Sequence, residues 1–141
     1  MTPQEAVQKT LAAEHAAVYL LGVIGARLSA SAQAQLWQRV RESYTVHRGR
    51  RDQLVAMLRA VDADPVAAEV AYDLPTPART PGQLERAALL VEERCAAVYA
   101  DMVSHTARAN RQWALDSLED SAVRLLGFGG EAEPFPGIGE L

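Results

Sequence analysis

Two stretches of this chain repeat their apolar residues at alternating steps of three and four, and both repeats are interrupted near the middle by ionisable side chains. The first runs Val7, Leu11, Glu14, Val18, Leu21, Gly25 and Leu28, and the second Trp37, Val40, Tyr44, His47, Arg51, Leu54, Leu58 and Val61. Steps of three and four return to one side of a helix with 3.6 residues per turn, so each stretch predicts a long helix with a single buried face. Two such rods facing one another are laid out as in a helix bundle. Glu14, His47 and Arg51 then fall inside, about halfway along. A charge taken out of water needs a partner, so the pattern predicts a paired polar layer within an apolar bundle.

Cap residues place the element boundaries. Thr2-Pro3-Gln4-Glu5 sets a hydroxyl at the N-cap, proline at the first helical position and glutamate at the third, a capping box. Helix 1 is expected to reach Leu28, where Ser29-Ala30-Ser31 offers a break and a new cap, and helix 2 to cover residues 32–61. The short joint makes the two an antiparallel hairpin. Residues 62–79 carry Pro65, Pro75 and Pro77 without a sustained helical period, and read as a long connection with one turn near residues 66–70. Helix 3 opens on Thr80-Pro81-Gly82-Gln83, the same cap grammar, and extends to His105 with the stripe Leu84, Ala88, Val91, Cys95, Val98 and Met102 and with Glu92 and Glu93 at its edge. Helix 4 covers residues 110–126 and stops at Gly127. Residues 1–127 thus form the bundle, and residues 128–141 a Gly- and Pro-rich extended tail anchored by Phe128, Phe135 and Ile138. The cap recurrence, together with Ala16-Ala17-Val18-Tyr19 returning as Ala96-Ala97-Val98-Tyr99, points to a duplicated hairpin.

A content of 49 % hydrophobic and 6 % aromatic residues, led by alanine, fits close-packed helices and an all-α class. With a net charge of −4 the chain lacks the positive field that nucleic-acid binding relies on. Cys95 is the single cysteine, which rules out an intramolecular disulfide and a four-cysteine metal site and suits a reducing compartment. The first residues hold no basic stretch ahead of an apolar one, and no apolar run is long enough to span a bilayer. The expectation is a cytoplasmic protein with neither nucleic-acid nor membrane partners.

The order of several short motifs carries a resemblance: Glu14-His15-Ala16-Ala17-Val18-Tyr19, His47-Arg48-Gly49-Arg50-Arg51-Asp52, Ala71-Tyr72-Asp73-Leu74-Pro75, Glu92-Glu93-Arg94, Asp120 with Arg124, and Phe135-Pro136-Gly137. Together they make the chain similar to a bacterial ferritin-like family labelled as a domain of unknown function. The resemblance covers nearly the whole chain. It implies a ferritin-like four-helix bundle of two antiparallel hairpins joined by a long crossover between helices 2 and 3, a vestige of a metal site, and a side-by-side homodimer or other homo-oligomer.

A complete di-iron or di-manganese bundle of that kind needs one glutamate on each of two helices and Glu-x-x-His on each of the other two, because residues three apart share a face. The lone glutamates would be Glu14 and either Glu92 or Glu93. The first Glu-x-x-His position reads Tyr44-x-x-His47, and the second Glu119-x-x-Ala122 or Asp120-x-x-Val123, so half the ligands are missing. Two readings follow. In one, Glu14, His47, Arg51, Glu92 and Glu93 form a buried ionic and hydrogen-bonded network that needs no cofactor, in a non-catalytic structural or binding module. In the other, Glu14, His47, Glu92 and Asp120 hold iron or manganese for oxidase or storage chemistry, the ions that suit carboxylate-rich sites. A third idea keeps the cavity without the metal, as a small-ligand pocket between helices. His15 points about 100° away from Glu14 and reads as a boundary residue. His105 reads as a C-terminal cap and Cys95 as a small buried hydrophobe. Tyr19, Tyr44 and Tyr99 read as core or boundary aromatics, and the arginines of helix 2 as a solvated face salted by Glu42 and Asp52.

Overall fold

The computed structural model describes residues 1–138, which form four helices and no strand: α1 (Pro3–Arg27), α2 (Ala34–Arg59), α3 (Pro81–His105) and α4 (Arg108–Leu126). Both capping boxes are formed. The Thr2 hydroxyl accepts the Glu5 N–H at 3.1 Å while the Glu5 carboxylate accepts the Thr2 N–H at 2.7 Å. Thr80 and Gln83 repeat the exchange at 3.2 and 3.3 Å. Ser29 does not cap α2. Its hydroxyl accepts the Ala32 N–H at 3.0 Å in a turn that delays the helix to Ala34, behind an N-cap Gln33 whose side chain makes no cap bond. α4 starts two residues earlier than its periodicity suggests, at Arg108.

The connection from α2 to α3 has no helical turn near residues 66–70; it is extended and laid along α1. Gln8 takes both the Asp64 carbonyl (2.7 Å) and the Val66 N–H (2.8 Å), and His15 Nε2 meets the Val66 carbonyl at 2.9 Å. Further on, Tyr72 packs on Tyr19 with ring centroids 5.6 Å apart, and Arg27 donates to the Ala78 carbonyl at 3.0 Å. The contacts advance together along both segments, so the chain reaches the Arg27 end of α1 before α3 begins. His15 thereby has a structural task, tying the connection to the bundle.

α1 packs on α2 and on α3, and α3 packs on α4. The core divides into two apolar clusters. One centres on Leu21, Ile24, Val40, Leu84, Ala88 and Tyr99, the other on Val7, Leu11, Leu54, Leu58 and Met102. Along α1 and α2 the boundary between them falls at Glu14 and at His47 with Arg50, all buried. No helix among the described residues is long and apolar enough to cross a membrane.

Phe128 is buried against the bundle, but Phe135 and Ile138 are 73 % and 58 % exposed and anchor nothing. The later contact of the tail is Gly137, at φ 78°, where a Cβ would collide with the Ala96 carbonyl. Close backbone approach, which glycine permits, does the work expected of the aromatic and aliphatic side chains. The expected tail beyond Ile138 lies outside the described residues.

Candidate functional site

The polar layer is assembled from all four helices. Glu14 comes from α1, His47 and Arg50 from α2, Glu92 and Tyr99 from α3, and Ser121 from α4, and all six are buried. His47 lies between the two carboxylates, with Nδ1 2.6 Å from Glu14 Oε2 and Nε2 3.0 Å from Glu92 Oε1. Arg50, one turn on, reaches the same carboxylates through two hydroxyls. Its Nη1 donates to Tyr99 Oη at 3.3 Å and to Ser121 Oγ at 3.2 Å. Tyr99 then donates to Glu14 Oε1, and Ser121 to Glu92 Oε2 at 3.0 Å. Each of the four carboxylate oxygens accepts a bond. Among the described buried side-chain polar atoms only Ser43 Oγ has no partner.

Two carboxylates thus meet two cations. Burial alone would push the His47 imidazole towards its neutral form, but the Glu14 and Glu92 carboxylates outweigh it and raise its pKa to about 9. Burial opposes the Glu92 carboxylate as well, and there the His47 charge, the bonds from His47 and Ser121 and the Arg50 charge bring its pKa below the usual value. Arg50 loses hydration, yet Tyr99, Glu14 and Asp120 stabilise its charge further. Its guanidinium also lies over the Tyr99 ring, 5.2 Å from the centroid.

Sequence reasoning placed Glu14 and His47 in the interior, and the structure brings them together. It takes Glu92 and not Glu93. The neighbouring position is turned about 100° around the helix, and Glu93 lines a cleft of about 310 Å³ beneath the tail with Arg86, Glu131 and Glu133. Arg51 requires a correction. It is partly exposed and pairs with Asp52 at 2.9 Å, while Arg50 fills the core position. The buried stripe of α2 is Val40, Ser43, His47, Arg50, Leu54 and Leu58. The two stripes share Val40, His47, Leu54 and Leu58 and differ only in taking the step of three before the step of four, which puts Ser43 and Arg50 inside where Tyr44 and Arg51 are expected. Asp120 stands at the edge, 40 % exposed, accepting from Arg50 Nη2 and Arg124 Nε at 2.7 Å each. The arginine bonds hold its pKa down against partial burial.

Tyr99, Ser121 and Cys95 complete the layer, and none was placed in it by sequence. Cys95 Sγ joins one ligand atom each from Glu14 and His47 in a group lying within 4.8 Å of one another. Burial, followed by the neighbouring Glu14 and Glu92 charges, raises the Cys95 thiol well above its ordinary pKa, so the sulfur stays protonated.

Comparison with other proteins gives a family without an activity. No curated protein matches the chain. The crystal structure of a conserved hypothetical protein, rv2844, from Mycobacterium tuberculosis is similar at a TM-score of 0.81 and 27 % sequence identity, over 90 % of this chain and 87 % of that one. The model of one family matches residues 6–140. The four-helix bundle with its buried polar layer therefore belongs to the family described as Domain of unknown function (DUF4439).

Proposed function

We propose that this chain is a ferritin-like bundle in which protons and a guanidinium do the charge-balancing that metal ions do in the complete fold, and that it serves as a non-catalytic structural or binding module. The observation carrying the reading is the bridging of Glu14 and Glu92 by the two ring nitrogens of His47, with Arg50 supplying the second positive charge. With Asp120 and Arg124 at its edge, the layer sets three anions against three cations and is neutral as it stands, and its hydrogen bonds meet the cost of burying them.

The ferritin-like fold implies a di-iron or di-manganese centre, and the residues present do not fit one. Asp120, the remaining carboxylate of the four-ligand set, is bound to Arg50 and Arg124. The Arg50 guanidinium occupies the layer itself and would oppose a divalent ion. Glu14, His47 and Cys95 could present three ligand atoms to a single ion, but only after His47 and Cys95 each lost a proton that their surroundings favour. The iron or manganese reading is therefore the second choice.

A long-range proton–nitrogen correlation spectrum of the His47 ring tests the proposal on untagged protein grown with iron and manganese. The expected result is protonation of both ring nitrogens at pH 7.5, with only trace metal by elemental analysis. A neutral ring together with near-stoichiometric iron or manganese would overturn it.

A further inference from the structure

A groove between α1 and α2, separate from the buried layer and independent of its role, combines three features, one of them built on rings that also pack against the core, Trp37 and Tyr44. Its volume is about 280 Å³, with Gly22 and Gly25 on one side, and Trp37, Arg41 and Tyr44 on the other. The first feature is the glycine pair. Glycine in mid-helix costs stability relative to alanine. A Cβ on Gly22 would meet Tyr44 at 3.5 Å and one on Gly25 would meet Val40 at 3.5 Å, both ordinary contacts, so the helices could pack as closely with alanine. Both glycines line the groove, so a methyl group at either position would take up space in it beside Tyr44 or Val40. Gly49, which meets nothing within 4 Å, shows that a glycine by itself marks no site.

The second feature is the facing surface. Trp37, Arg41, Tyr44 and Arg48 follow one another along α2 at steps of four, three and four, so rings and guanidiniums alternate on one face. Arg41 lies 5.2 Å from the Trp37 ring centroid and Arg48 5.6 Å from that of Tyr44. Stacking fixes Arg41 on the wall of the groove and Arg48 against the ring of Tyr44. The third feature is their free donors. Glu42 accepts from Gln38 and Asp52 pairs with Arg51, leaving the Arg41 and Arg48 guanidiniums with no acceptor among the described residues. The α2 arginines at these positions are a laddered face and not a salt-bridged one.

We infer that this groove binds a small planar aromatic carboxylate, its ring against Trp37 and Tyr44 over the glycine floor and its carboxylate on the Arg41 fork. Aromatic walls select a flat apolar body, and a guanidinium pairs with a carboxylate through two parallel N–H bonds. The volume is at the small end of ligand pockets, which restricts the occupant to one or two fused rings.

Titration with 2-naphthoate, followed by amide and indole resonances in proton–nitrogen spectra, tests the assignment, with 2-naphthylmethanol as the uncharged probe. Expected are shifts confined to Gly22, Gly25 and the Trp37 indole, at least tenfold weaker binding of the alcohol, and a similar loss in Arg41→Gln. Gly25→Ala is expected to raise the melting temperature while weakening 2-naphthoate binding several-fold, so lost binding there cannot be put down to a damaged fold. Absence of shifts at these three residues with millimolar 2-naphthoate, equal binding of the alcohol, or unchanged binding in Gly25→Ala would each overturn the proposal.

Discussion

His47 and Arg50 hold the same two carboxylates by different routes: the imidazole touches Glu14 and Glu92 directly, and the guanidinium one turn later reaches them through Tyr99 and Ser121. The arrangement ties α1, α3 and α4 to two neighbouring turns of α2. Stability is therefore coupled to the protonation of a group at the centre of the bundle.

That coupling has a sign. The folded-state pKa of His47 is raised to about 9 from 6.5, so the folded protein binds a proton that the unfolded chain releases between those values. Its contribution is complete below pH 6.5 and is lost as pH rises through 9. At about 1.4 kcal/mol per pH unit, unfolding free energy is expected to fall by about 3 kcal/mol across the window. Glu92 acts oppositely, its pKa being lowered from 4.5; its contribution is present above that value and lost as pH falls through the folded pKa. Urea unfolding from pH 4 to 10 should give a stability plateau near pH 5 to 6. His47→Gln should remove the alkaline slope.

Much of this architecture was written in local signals. Two Thr-Pro caps fixed the starts of α1 and α3 to the residue, because a capping box is satisfied within four positions and needs no tertiary contact. Glu14 and His47 were visible as polar breaks in apolar stripes. The step from Thr2 to Thr80 carries Glu14 onto Glu92, the carboxylate that faces inward, whereas the Ala-Ala-Val-Tyr repeat is offset by two further residues and obscured the choice. Arg50 and Ser43 were not legible, since steps of three then four and of four then three both connect Val40, His47 and Leu54, and only the packing of α2 against its neighbours selects between them. Tyr99 and Ser121 matter for where their hydroxyls point, and that depends on the meeting of all four helices.

Arg50 and Arg51 are adjacent and should behave differently. Arg50 is buried with bonds to Tyr99, Ser121 and Asp120, so Arg50→Gln strands the carboxylate side of the layer and is expected to cost about 3 to 5 kcal/mol. Arg51 makes a partly exposed pair with Asp52, and Arg51→Gln should stay within about 0.5 kcal/mol of the parent. Chemical denaturation of the two variants at pH 6 measures the contrast. Equal effects would contradict the burial assigned to α2.

Glu14→Gln keeps shape and removes one charge, leaving His47 and Arg50 facing Glu92 alone. Loss of about 3 to 5 kcal/mol is expected at pH 6, because the stranded cation remains buried. The His47 pKa should fall as well, since Glu14 is the first carboxylate supporting it against burial. A variant that melts with the parent would show that the layer contributes no stability.

Cys95 gives a readout that does not depend on substitution. Its sulfur is buried in the layer, and burial together with Glu14 and Glu92 raises the thiol pKa well above 9.0. The thiolate is the reactive form, so a disulfide reagent at pH 8 has neither access nor a nucleophile in the folded protein. Labelling should follow the opening of the bundle, accelerating with urea in step with the population of unfolded chain. It should also accelerate in Glu14→Gln under native conditions, since that variant opens more often. Rapid labelling of the parent without denaturant would mean that the layer is reachable from solvent and that Cys95 is not sealed in the bundle.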